Sequence, residues 1–174
     1  MAEEPPPSAP LSPEPILKAL DRHGVRYVLI GGLAAIAQGW PGVTLDADIT
    51  PASDRENLGH LAAALREMGA RLPVAGIEEG VEIPLDARTF DLGVTWTFIT
   101  RYGPVDVALR PDGTKGYDDL ARGAKARRAF GVDVPVAALE DIIRSKEAAN
   151  RDRDRVALPL LRRLLERSRE REER

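Results

Sequence analysis

The chain of 174 residues contains no cysteine, which excludes a disulfide framework and any cysteine-ligated zinc site. It has two histidines, His23 and His60, too few for a histidine-rich metal centre, so a bound metal is expected on oxygen ligands. No apolar stretch reaches the roughly 18 residues that a membrane-spanning helix needs, and no membrane partner is expected. The opening MAEEPPPSAPLSPEP is acidic and proline-rich, without the basic and apolar regions of a secretory leader. The expected location is therefore the cytoplasm. An excess of positive charge is absent too: the formal net charge is −3. That balance argues against broad electrostatic capture of nucleic acid, and no DNA partner is expected.

What is present is enough apolar residue, 43% of the chain, for one domain with a core. Residues 1–12 read as a disordered proline-rich tail and residues 13–174 as a single domain ending in two helices. Ile16, Leu17 and Leu20 form an amphipathic turn or two stopped by Gly24. Val25 to Ile30 reads as a strand ending at Gly31-Gly32, and Leu33 to Gln38 as a short helix. Val43 to Ile49 reads as another strand. Ser53-Asp54-Arg55-Glu56 has the form of a capping box, opening a helix that runs to about Met68. Residues 73–92 are ambiguous. Val94 to Thr100 and Val105 to Leu109 predict a hairpin, Lys125 to Val136 a short β excursion around Gly131, and Ala138 to Asn150 and Arg155 to Arg169 two closing helices. The expected fold class is α/β, a mixed sheet of about four to six strands with flanking helices.

The chemistry concentrates in three carboxylates. A strand has period two, so Asp46 and Asp48 are expected on one face, about 7 Å apart, with Leu45, Ala47 and Ile49 facing a core. Two like charges side by side call for a compensating cation, and Mg²⁺, or Mn²⁺ in its place, accepts such oxygen ligands and shares its shell with substrate phosphates. Asp106 stands on its own face opposite Val105, Val107 and Leu109, a natural third ligand. Gly31 and Gly32 sit where a strand gives way to a helix, a place where missing Cβ atoms admit phosphate to backbone N–H groups. Taken singly, each feature has an ordinary alternative. A lone D-x-D also fits a calcium loop or surface polarity, and a glycine pair also fits a tight turn.

Together, Gly31-Gly32, thirteen further residues, and then Asp46-Ala47-Asp48-Ile49, with a later strand bearing Asp106, resemble the signature of the nucleotidyltransferase superfamily with its polymerase-β-like fold. Ile142 to Arg151, followed by Arg153-Asp154, resembles the helical segment of the AbiEii-like and minimal nucleotidyltransferases of bacterial toxin–antitoxin systems. The resemblance implies Mg²⁺-dependent transfer of a nucleotide from a nucleoside triphosphate to a tRNA 3′ end or to a hydroxyl on a cognate toxin or antitoxin protein. It makes Asp46, Asp48 and Asp106 metal ligands and catalytic residues, and assigns nucleotide binding to Gly31, Gly32, Lys146, Arg151 and Asp154. Relatives often carry an arginine a few residues before the first aspartate, where this chain has Trp40-Pro41-Gly42-Val43. That departure keeps open a catalytically silent fold acting as a nucleotide-binding or regulatory module. Antibiotic adenylylation is a further acceptor reading.

Overall fold

In the computed structural model, which describes residues 9–174, the chain runs α1 (Pro13–Arg22), β1 (Tyr27–Ile30), α2 (Gly31–Ile36), β2 (Ala47–Pro51), α3 (Arg55–Glu67), β3 (Leu72–Val74), β4 (Ile77–Val81), a 3-10 turn (Ala87–Leu92), β5 (Thr95–Thr100), β6 (Gly103–Ala108), α4 (Tyr117–Gly123), β7 (Lys125–Ala129), β8 (Val132–Val136), α5 (Leu139–Ala149) and α6 (Asp152–Glu172). Six strands form one sheet in the order β5-β6-β2-β1-β8-β7, and β3 and β4 form a separate hairpin. Pairing is mixed. β1 runs antiparallel to β2 and parallel to β8, β2 runs parallel to β6, and the hairpins β5–β6 and β7–β8 close the two edges. The ambiguous stretch of the sequence thus resolves into the small hairpin and the 3-10 turn.

α1 opens on proline in its first turn and buries Ile16, Leu17, Ala19 and Leu20 against α3 and β8; their spacing gathers them on one helical face. Ala47, Ile49, Val105 and Val107 are fully buried, so β2 and β6 turn one apolar face into this core. Asn57, 1% exposed, ties the frame together. Its Nδ2 donates to the carbonyls of Arg26 and Ala52, and its Oδ1 accepts the Arg26 N–H at 2.7 Å. A buried amide is tolerated only with such partners. Among the described residues, no helix is long and apolar enough to cross a membrane.

Three local expectations are corrected. β2 begins at Ala47 rather than Val43, and Val43 and Leu45 are 83% and 78% exposed instead of facing the core. The reason is the neighbour: β1 ends at Ile30, opposite Asp48, and turns into α2, so earlier residues have no ladder partner on that side. The cap of α3 is Asp54, whose carboxylate accepts the Asn57 N–H at 3.0 Å, not Ser53. Of the expected tail, residues 1–8 lie outside the described residues. Residues 9–12 are seated on the fold, with Leu11 packed on the core and the Ser12 N–H donating to the Tyr102 carbonyl at 2.9 Å.

Candidate active site

Parallel pairing places Asp48 of β2 beside Asp106 of β6, both on the face opposite the core. Asp46 joins them from the bend before β2, so the three carboxylates each offer an oxygen within 4.8 Å of the others. Asp46 stands outside the strand, not on it as the period-two spacing predicts, yet the bend still brings it to the other two carboxylates. Thr44 steadies the bend, its hydroxyl donating to the Asp46 carbonyl at 3.2 Å and lying 3.3 Å from Asp46 Oδ1. The Asp106 Oδ1 atom is buried without a hydrogen-bond partner. Burial, and after it the charges of Asp46 and Asp106, push the Asp48 carboxyl up to about 8. Burial likewise raises Asp106, against the hydrogen bond from Thr97 and the nearby Arg153 charge. A hard divalent cation fits this donor set: three carboxylates, one with an orphaned oxygen, that repel each other until a positive charge joins them.

Gly31 and Gly32 reach the site, though not as expected. α2 is only six residues long, and the space a Cβ would fill is taken by the side chains of Asp48 and Thr44. A Cβ on Gly31, whose φ is +65°, would lie 2.3 Å from Asp48 Oδ2, and one on Gly32 would lie 2.6 Å from Thr44 Cβ. The glycine pair lets the aspartate cluster sit against the turn. Gly31→Ala is therefore expected to lower stability by about 2 kcal/mol or more, from left-handed backbone strain plus a displaced carboxylate. Urea denaturation checks it, as a shift in midpoint at constant slope.

The triad lies on the wall of a cleft of about 830 Å³ that also takes in Trp40, Arg110, Ser145, Lys146, Arg151 and Arg153. Lys146 of α5 and Arg151, the residue capping α6, thus line the same cleft as the carboxylates. Asp154 is corrected: it is fully buried, forming no part of the cleft wall. Its carboxylate accepts the Arg151 Nε–H at 2.8 Å and the Arg151 backbone N–H at 3.2 Å, and it bonds Lys146 Nζ at 3.3 Å. Burial pushes this carboxyl up, but Arg151 and Lys146 outweigh burial and hold it below the usual carboxylate range. Asp154 orients the two cations from beneath. Sequence reading missed Arg110 and Thr44 as members of the site. It singled out Thr97 and Arg153 only within a strand and a basic run, because their placement beside the triad depends on sheet register and helix packing.

The strained triad carries a pH signature. An unfolded aspartate titrates near 3.9, so without a divalent ion the Asp48 carboxyl, at about 8, holds a proton in the folded chain that the unfolded chain has lost. Its contribution to stability is full below about pH 4 and is lost as pH rises through about 8. In chelator, the unfolding midpoint is expected to fall between about pH 5 and pH 9 by the equivalent of about 2 kcal/mol or more. Saturating Mg²⁺ should flatten that slope. Denaturation with and without the cation reads both effects.

No family model matches the chain, and no curated protein matches it in sequence. Solved structures do resemble it. The lincosamide antibiotic adenylyltransferase LnuA, solved with lincomycin bound, is 14% identical with a TM-score of 0.60, over 89% of this chain and 99% of that one. TM1012 of Thermotoga maritima, an inferred nucleotidyltransferase, is 20% identical with a TM-score of 0.51, over 87% of this chain and 91% of that one. Likeness over most of this chain and of those chains, at such low identity, shows that the fold is the nucleotidyltransferase fold.

Proposed function

We propose that the protein is a Mg²⁺-dependent nucleotidyltransferase that moves a nucleoside monophosphate from a nucleoside triphosphate to a hydroxyl acceptor. The observation that carries this reading is the convergence of Asp46, Asp48 and Asp106 in one cleft with Arg110, Lys146, Arg151 and Arg153. The three aspartates would hold the cation, which when bound neutralises charge on the phosphates and the attacking oxygen. Lys146 and Arg151, fixed by Asp154, face the place where a triphosphate's negative charge would rest. Asp106, on a separate strand, approaches as the group that takes up the acceptor's proton or steadies its oxygen. The chemistry is positioning and electrostatics, and no covalent enzyme nucleophile is needed. The cation missing from Trp40-Pro41-Gly42-Val43 has substitutes in Arg110 and Arg153, which line the same cleft.

The resemblance to toxin–antitoxin enzymes points to a tRNA end or a partner protein as acceptor. That reading leans on the basic residues between Lys125 and Arg155. In the fold Lys125, Arg128, Arg144, Lys146, Arg151 and Arg155 are all ion-paired, which leaves less free positive charge for a polyanion. A small-molecule acceptor, the class that the lincosamide enzyme's name describes, suits an 830 Å³ cleft better.

Calorimetry with Mg²⁺ and each nucleoside triphosphate at millimolar concentration tests the reading, with Mg²⁺-dependent binding as the expected result. Absence of binding to all four would overturn it in favour of the silent module.

A further inference from the structure

Several large apolar side chains are left in solvent, and four of them, Val43, Leu45, Val156 and Leu160, line the cleft that holds the aspartates. Their exposures are 83%, 78%, 81% and 41%. Single exposed aliphatic residues are ordinary, but four around one functional cleft form a patch that asks for an occupant. Val43 and Leu45 come from the loop that ends in Asp46. Val156 and Leu160 stand one turn apart on α6, hence on one face of it. None of the four presents a donor, an acceptor or a charge, so they have nothing to offer a triphosphate or a sugar-phosphate backbone. The cleft therefore has a charged part, with Lys146 and Arg151, and an aliphatic part, with the aspartates in the same wall.

Resting on the transferase reading above, we infer that the acceptor is a small hydroxyl compound with an apolar body. Its aliphatic portion packs between the Asp46 loop and α6, and its hydroxyl is presented to the carboxylates. In the transfer, the acceptor oxygen bonds to the α-phosphorus, the bond from that phosphorus to the β-phosphate's bridging oxygen breaks, pyrophosphate leaves, and the hydroxyl proton passes to Asp106 or to solvent. The step is redox-neutral and needs no co-reactant beyond the triphosphate.

The probes are hexyl β-D-glucoside and methyl β-D-glucoside, which share their hydroxyls and differ only in alkyl length. Binding is measured by saturation-transfer NMR on the full chain with Mg²⁺ and a non-hydrolysable ATP analogue. Hexyl glucoside is expected to bind at least about tenfold more tightly, the scale of burying a few methylenes. Leu45→Ser and Val156→Ser should each reduce that preference severalfold while leaving Mg²⁺–nucleotide affinity unchanged. Both positions are so exposed that the substitutions put folding at little risk, and circular dichroism checks each variant. Equal affinity for the two glucosides, with nucleotide binding intact, would overturn the apolar acceptor and leave the transferase reading standing. Weakened nucleotide binding in the two variants would overturn it as well, by giving the patch to the base. Loss of Mg²⁺–nucleotide binding in the wild type would instead remove the transferase reading beneath it.

Discussion

Asp48→Asn is expected to abolish measurable Mg²⁺-dependent nucleotide binding, a loss of about 10²-fold or more in affinity, and at the same time to make the cation-free protein more stable. Both effects have one cause. Asp48 is pressed against Asp46 and Asp106 in a largely dehydrated setting, and its carboxyl is driven up to about 8. A bound divalent cation removes that conflict, and its binding depends on the conflict being there. An amide keeps the shape but brings no charge, so the remaining pair repels less and holds a cation poorly. At pH 8 in chelator the variant should gain on the order of 2 kcal/mol. Calorimetry and urea denaturation, run on the same preparation, must move in opposite directions. A variant that binds Mg²⁺–nucleotide as the wild type does would show that Asp48 is an ordinary strand residue.

Much of this site was legible in sequence because the relevant regularities are local. The spacing from Gly31-Gly32 to Asp46 and Asp48, the period-two alternation around Asp106, and the hairpin over Thr95–Ala108 all follow from short-range chemistry. The strands around β2 and β6 came out nearly in place for the same reason. What failed depended on distant neighbours. Val43 and Leu45 have the composition of a strand but no partner, because β1 ends at Ile30. Asp154 has the look of a helix cap. It does accept the Arg151 N–H in a capping box, yet it is also the buried counter-charge for Lys146, which lies in the preceding helix. The glycine pair suggested an opening for phosphate, and the structure fills that opening with Asp48 and Thr44. No local pattern tells a solvated basic face from one whose arginines are already paired, and the acceptor preference turned on that distinction.

Asp106→Asn separates binding from chemistry. Asp46 and Asp48 belong to one short segment, whereas Asp106 reaches the cluster from β6 and keeps one oxygen buried and unbonded. Burial raises its pKa on balance, against the hydrogen bond from Thr97, its antiparallel partner, and the Arg153 charge. On the proposed transferase reading, Asp106 is the carboxylate that would take up the acceptor's proton. Losing its charge should leave the Asp46 and Asp48 pair able to hold a cation with its triphosphate, so nucleotide affinity should fall only severalfold. The transition state loses more, because charge on the attacking oxygen builds up only there. The expected result is a kcat lower by about 10²-fold or more, with the KM for nucleotide changed far less. Equilibrium binding paired with single-turnover transfer measures the split. Equal losses in affinity and rate would make Asp106 a third ligand and nothing more, and full transfer activity would reduce it to a structural residue of β6.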